Sequence, residues 1–449
     1  AGFSPRGASA PLPAGRAEAR PRPERPPHRA NFNGGVLTAL LLALPVILPA
    51  QAAKNSCLEC HAALDGPQAK PAQLFDRDIH KKAGLSCVDC HGGDASTDDM
   101  QASMSRARGF LGKIDRRAVP ARCARCHSDS AVIHKFKPQQ RVDQLAQYRT
   151  SVHGKRLAAG DTRVANCIDC HSVHDIREVR DAESPVHPLH LPETCARCHA
   201  DAAHMKGYSI PSDQFLKYRK SVHWEALAQR GDLSAPSCAT CHGNHGAVPP
   251  GVASVSHVCG TCHVVFENLF VKSPHKKAFD EAGMGACIVC HGNHEVAKPT
   301  LALLGVQQGA VCVNCHSEGD KGYQAAGRMR SRIDELAASL ARSEAIIHQA
   351  ESSGMEVSEA RLELATGNEN LIKAKVELHS FNPAVVDASV TKGLAVAQSV
   401  YGAGQKALQE RDFRRRGLAL SLVTIAVTMA GLWLAVRGLD RRRNSPANG

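Results

Sequence analysis

SVHGKRLAAGDTRVANCIDCHSVHD, residues 151–175, poses the problem that the rest of the chain repeats. It holds the pentad Cys167-Ile-Asp-Cys170-His171, one histidine eighteen positions before the end of that pentad (His153) and another three positions after it (His174). Two thiols and three imidazoles this close in sequence are soft and borderline ligands, which points to metal chemistry rather than to a folded core.

All eighteen cysteines fall into Cys-x-x-Cys pairs, and a histidine follows every pair. The pentads are Cys57, Cys60, His61; Cys87, Cys90, His91; Cys123, Cys126, His127; Cys167, Cys170, His171; Cys195, Cys198, His199; Cys238, Cys241, His242; Cys259, Cys262, His263; Cys287, Cys290, His291; and Cys312, Cys315, His316. Structural zinc uses Cys-x-x-Cys knuckles in facing pairs but does not need histidine at the next position. With histidine at about 5% of residues, nine chance matches would occur roughly once in 10¹². Disulfides or redox dithiols leave the histidines unexplained. The pattern is that of covalent c-type haem attachment, with two thioethers to the porphyrin and the adjacent histidine as iron ligand, so nine iron-containing haems are expected.

Such attachment happens outside the cytoplasm. An apolar run, VLTALLLALPVILPA from Val36, with arginines upstream and a small-x-small site at Ala50-Gln51-Ala52, reads as an export signal over residues 35–52. Residues 1–34 form a basic, Pro/Arg-rich leader. The formal charge of +12 sits at the two ends: six arginines against two glutamates in residues 1–34, and eight arginines against two aspartates in residues 411–449. Haem propionates add negative charge to the remainder, so no nucleic-acid partner is expected.

The pentads occupy residues 57–316, too little chain per haem for an ordinary core around each one, and aromatics are only 4% of the composition. A haem-cored cytochrome domain of short helices and loops is therefore expected over residues 53–322, in a mostly α and coil chain. The opening stretch recurs: YRTSVHGKRLAAGDTRVANCIDCHSVHD from Tyr148 parallels YRKSVHWEALAQRGDLSAPSCATCHGNHG from Tyr218, FVKSPHKKAFDEAGMGACIVCHGNHE from Phe270, and the shorter FDRDIHKKAGLSCVDCHGGD from Phe75. Each copy follows a simpler pentad, giving four two-haem modules and a ninth, closing haem.

Repetition turns the extra histidines into candidate second iron ligands. His80, His153, His223 and His275 precede a pentad, and His174, His245 and His294 follow one at the third position. A histidine three residues past a pentad cannot easily fold back onto its own haem, so it is expected to reach a neighbouring one. His134 is a further candidate ligand. His187, His190, His204 and His257 are unranked by the pattern.

After His316 the cysteines stop and heptads begin. Ala326, Met329, Ile333, Leu336, Leu340, Ile347 and Ala350 make one seam, and Val357, Ala360, Leu364, Leu371, Ala374 and Leu378 a second. These predict an antiparallel helical hairpin over residues 323–381, with the return leg bringing His379 back beside His316 as a ligand candidate. Asn382 and Pro383 start a stalk helix, residues 382–416. It leads into twenty uncharged residues, 417–436, long enough to cross a bilayer, and a tail at 437–449.

The pentads, the extra histidines and the C-terminal helices together resemble the multihaem c-type cytochromes of bacterial respiration. His379 near Asn382 and Pro383, between two long helices, is similar to the arrangement in pentahaem nitrite reductases and their octahaem hydroxylamine-oxidising relatives. No Cys-x-x-Cys-Lys is present, in contrast to those nitrite reductases, and the sequence does not single out a cross-linking tyrosine among its five. The expectation is an electron carrier rather than an enzyme. It would be anchored in the cytoplasmic membrane with its haems on the periplasmic or outer face and its C-terminus in the cytoplasm, exchanging electrons with redox protein partners there and open to oligomerisation through the bundle. The alternatives are an oxidoreductase acting on a small nitrogen or sulfur compound at one five-coordinate haem, and a quinol dehydrogenase.

Overall fold

The computed structural model describes residues 54–249 and 254–443; the leader, the export signal and the last residues of the tail lie outside them. Among the described residues there is no strand. The described residues up to 316 fold into short helices, none longer than nine residues, joined by turns. Three long helices follow: Lys321–Ser352, Ser358–Glu377 and Pro383–Arg443.

The two parts differ in what they bury. The contiguous apolar core is built by the long helices, where Met329, Ile333, Leu336, Leu340 and Ile347 of the first pack on Val386, Val390, Ala397 and Val400 of the third and on Ala360, Leu364 and Ala374 of the second, with Leu301 and Leu304 from the preceding segment packed against it. Both predicted seams point inward. Ser343 interrupts the first seam, and its buried hydroxyl donates to the Ala397 carbonyl at 2.7 Å, so no polar atom is stranded. Small residues let the helices close up: a Cβ at Gly393 would come 2.8 Å from both Leu336 methyls, and one at Gly404 2.7 Å from Ile346 Cγ2. In residues 54–316, buried apolar side chains such as Leu157, Leu227 and Phe270 are scattered rather than clustered.

The first long helix leaves the pentad region, the second returns to it, and the third runs outward again. Arg411 Nη1 reaches Ser353 Oγ at 3.3 Å at the outer end. Asn382 caps the third helix by accepting from the Ala384 N–H at 3.0 Å. This helix continues unbroken for 61 residues through Gly402 and Gly404. From Leu418 onward its apolar side chains are exposed, and it is long and apolar enough to cross a membrane.

Candidate functional site

Local sequence explains why the pentads form helical turns. In the second, fourth and sixth, a Ser or Asn just before the first cysteine makes a capping box with the residue two past that cysteine. The pairs are Ser86 with Asp89, Asn166 with Asp169 and Ser237 with Thr240. Each turn then ends on a left-handed residue, namely Gly92, Ser172 and Gly243, as does the eighth at Gly292. Ser172 accepts that conformation with φ 71°, and its hydroxyl bonds Asp175. The third and fifth pentads close longer helices, Val119–His127 and Leu191–His199, each with a proline in its first turn. Arg122 and Arg197 from these helices donate to the Asp89 and Asp169 carbonyls, docking each on the pentad before it.

The histidines that follow a pentad come to rest against the pentad two places earlier. His174 faces His91 with ring centres 6.0 Å apart and planes 21° from parallel, His245 faces His171 at 6.1 Å and 10°, and His294 faces His242 at 5.9 Å and 11°. The backbone sets this register. The residues just past the trailing histidine bond to the start of a helix one module back: Ile79 N–H donates to the Ile176 carbonyl at 2.8 Å, and Val222 N–H to the Val296 carbonyl at 2.9 Å.

The histidines that precede a pentad take the pentad after it. His80 faces His127 at 6.0 Å, His153 faces His199 at 6.0 Å, His223 faces His263 at 6.4 Å and His275 faces His316 at 5.9 Å, with planes at 82°, 53°, 44° and 88°. Each sits two residues after a buried helix cap: Asp78, Ser151, Ser221 or Ser273. Ser151 and Ser221 accept from the N–H groups of Gly154 and Trp224. Asp78 does more. Burial would raise its pKa, but hydrogen bonds from the His80 ring, the His80 N–H and the Ile176 N–H outweigh that and hold the carboxyl below its ordinary range.

The helical hairpin supplies the last partner. His379, in the turn after the second long helix, faces His291 at 6.1 Å and 15°, with Phe266 packed on its ring at 4.7 Å. Helix lengths alone had put it across from His316, and the structure corrects this by one pentad. The position opposite His316 is held by His275, whose ring is covered at 4.0 Å by Phe381, a residue turned into the left-handed region at φ 50°. The base of the hairpin is thus wedged between the eighth and ninth pentads. Gly322 permits the approach, because a Cβ there would lie 2.2 Å from the His316 ring.

Sixteen histidines are therefore paired, and the remaining candidates lie elsewhere. His61 has its Nδ1 3.0 Å from the Gln68 carbonyl oxygen and no facing imidazole among the described residues. His134 is exposed, with Nε2 2.9 Å from the Gln140 carbonyl oxygen, and is not brought to a pentad histidine. His187 and His190 lie 6.0 Å apart, His204 stacks on Tyr208, and His257 has Nδ1 2.8 Å from Ser254 Oγ.

Haem fits this arrangement. Two imidazoles bound to opposite faces of one metal, each at about 2 Å with its ring centre roughly 1.1 Å behind the bonding nitrogen, have centres ~6.3 Å apart; the eight observed separations run from 5.9 to 6.4 Å. Burial lowers the pKa of most of the paired imidazoles, and pushes His171 to about 4 with help from His245 and His127, a shift that favours the neutral ring a metal ligand requires. Two of them turn Nδ1 to a backbone oxygen, His91 to Gly112 at 2.9 Å and His379 to Val376 at 3.0 Å, leaving Nε2 for a metal.

The thiols order the pentads in space as in sequence. Cys123 and Cys167, Cys195 and Cys238, and Cys259 and Cys287 are close enough for their side chains to interact. Cys57 and Cys87, Cys90 and Cys123, Cys170 and Cys195, Cys241 and Cys259, and Cys290 and Cys312 are close enough for their charges to interact. Every pentad is thereby next to its successor.

Comparison with known families agrees with this geometry. A family model described as cytochrome c3 matches residues 79–200, and one described as cytochrome c554 and c-prime matches residues 47–92. Searches of the curated proteins and of the solved structures returned no match.

Proposed function

The chain is a multihaem c-type cytochrome involved in electron transfer, with covalently attached haem, and on that premise we propose that its nine pentads carry nine haems forming one electron relay from the first pentad to the base of the helical bundle. In each pentad the two cysteines hold the porphyrin and the histidine binds one face of the iron. The second ligands are His174, His245, His294 and His379 for the second, fourth, sixth and eighth haems in the order His91, His171, His242 and His291, and His80, His153, His223 and His275 for those of His127, His199, His263 and His316.

The haem supplies one-electron chemistry, and the chain fixes the conditions for it. Each pair of facing imidazoles would hold a haem iron between its rings, which would favour electron transfer and leave no room for substrate. Side chains taken from neighbouring modules tie each site to the next, so spacing along the relay is held by the fold. The observation that carries this reading is the set of eight facing imidazole pairs with a haem-sized gap.

The apolar end of the third long helix is read as a single membrane anchor. With the pentads exported, the haems lie on the periplasmic or outer side and the arginine-rich end after residue 436 faces the cytoplasm. Between Pro383 and the apolar run the helix has some 34 residues, roughly 50 Å. That distance favours redox proteins, rather than quinol dissolved in the lipid, as electron donor or acceptor.

Electron paramagnetic resonance of the oxidised, haem-loaded protein tests the relay. Near-parallel imidazole planes separate the iron d orbitals and give rhombic low-spin signals; planes near perpendicular leave them close in energy and give strongly anisotropic ones. The expected spectrum integrates to eight low-spin haems, four of them rhombic. Three or more high-spin haems would overturn the reading.

A further inference from the structure

The four leading histidines share a frame, and one copy departs from it. His153, His223 and His275 each lie two residues past a buried serine, whereas His80 lies two residues past Asp78, whose side chain is only 3% exposed. Ser151 and Ser221 use their hydroxyls on the local turn, accepting from the Gly154 and Trp224 N–H groups and donating to the Tyr148 and Tyr218 carbonyls. The carboxylate that stands in their place reaches the ring instead. Asp78 Oδ1 accepts from the His80 N–H at 2.8 Å and lies 2.9 Å from His80 Nδ1. Its Oδ2 accepts from the N–H of Ile176, two residues past His174, at 2.9 Å.

This contact sets the state of the ring. A carboxylate accepts and does not donate, so Nδ1 carries the proton and Nε2 is left for the haem-sized gap towards His127. His91 and His379 also turn Nδ1 to an oxygen, but to the neutral carbonyls of Gly112 and Val376. The His316 ring has a carboxylate 3.2 Å away on Asp320, yet those two side chains are 31% and 38% exposed, so water screens the pair. Among the described residues, His80 is the paired ring that bonds a buried carboxylate. Such an acceptor draws on the Nδ1 proton and makes the imidazole a more basic ligand. Out of water, its charge also favours the oxidised iron, which carries one more positive charge than the reduced.

We propose that Asp78 is a positioning residue that tunes the third haem: through His80 it holds that haem at a lower reduction potential than the serine of the other copies would. This rests on the reading of His80 as second ligand to the iron of His127. It builds a step into the relay between the second and fourth haems, and ties that step through Ile176 to the segment that carries His174.

A redox titration of the haem-loaded protein at one fixed pH, followed by electron paramagnetic resonance, tests it. The signal of the third haem is the one lost in a Cys123→Ser/Cys126→Ser variant. In Asp78→Ser that signal is expected to stay low-spin while its midpoint rises, the reduction equilibrium moving about tenfold, or roughly 59 mV for one electron. A low-spin third haem whose midpoint is unmoved or lowered would overturn the proposal and leave the ligand reading intact; a third haem already high-spin in the parent protein would overturn both. Should Asp78→Ser itself turn the third haem high-spin, Ser151→Asp decides. It places a carboxylate two residues before His153, and the fifth haem, attached at Cys195 and Cys198, is expected to drop in midpoint by a similar factor. An unmoved fifth midpoint would then overturn the tuning role.

Discussion

Replacing His245 with glycine is expected to turn one low-spin haem high-spin, and the haem affected is the one attached at Cys167 and Cys170, not the one attached three residues before the mutation. His245 follows the pentad that ends at His242, but its ring lies 6.1 Å from His171 and 10° from parallel. Loss of this imidazole removes one of two axial ligands from a buried iron in the middle of the relay. The rhombic class should fall from four signals to three, with the tilted class unchanged. Adding Cys167→Ser and Cys170→Ser should abolish the new high-spin signal. If the high-spin signal disappears instead with Cys238→Ser and Cys241→Ser, the trailing histidine serves its own pentad and the interleaving is wrong.

His379→Ala is the second change with a large expected effect, because it alters a cytochrome site from within the helical bundle. No pentad lies near residue 379 in sequence, yet the eighth haem, attached at Cys287 and Cys290, is expected to lose a ligand and become high-spin. The ninth should be untouched, since His275 faces His316. His348 provides the control: it is exposed on the first long helix, and His348→Ala should leave all signals as they were. A high-spin ninth haem in the His379 variant, or an unchanged spectrum, would contradict the geometry at the base of the hairpin.

Much of this was legible in the sequence because covalent attachment demands a fixed spacing and repetition exposes what each copy shares. The pentads, the seven recurring histidines and both heptad seams could be read directly. That a trailing histidine would face a pentad other than its own was expected because its own haem would have that side occupied, and the rings do face other pentads. Which pentad it faces did not follow, because the choice depends on backbone contacts such as Ile79 with Ile176, nearly a hundred residues apart. The partner of His379 was misjudged by one pentad for a similar reason: helix lengths bring the turn back to the right region, but the left-handed Phe381 and the packing of Phe266 decide which side of the hairpin base faces which haem. His134 had no repeat behind it, and it closes a local turn.

Other contributors gave weaker signals. Gly322 stands in the first turn of a long helix, where glycine is costly, and the cost is explained only by the His316 ring against it. Asp78 takes the place of Ser151, Ser221 and Ser273 in the other modules. Aligning the copies marks it as the exception, and the structure gives the reason: its second carboxylate oxygen accepts from the Ile176 N–H. Ser172 likewise stands where the other copies have Gly92, Gly243 and Gly292, all left-handed.

The measurement that bears most directly on the central claim is an electron cryo-microscopy map of the haem-loaded chain at a resolution that separates the two axial ligands of each iron. The account predicts His174 on the iron of His91, His245 on that of His171, His294 on that of His242 and His379 on that of His291, with the four leading histidines one pentad ahead. A map in which the trailing histidines bind the irons of their own pentads, or stand clear of every iron, would contradict it.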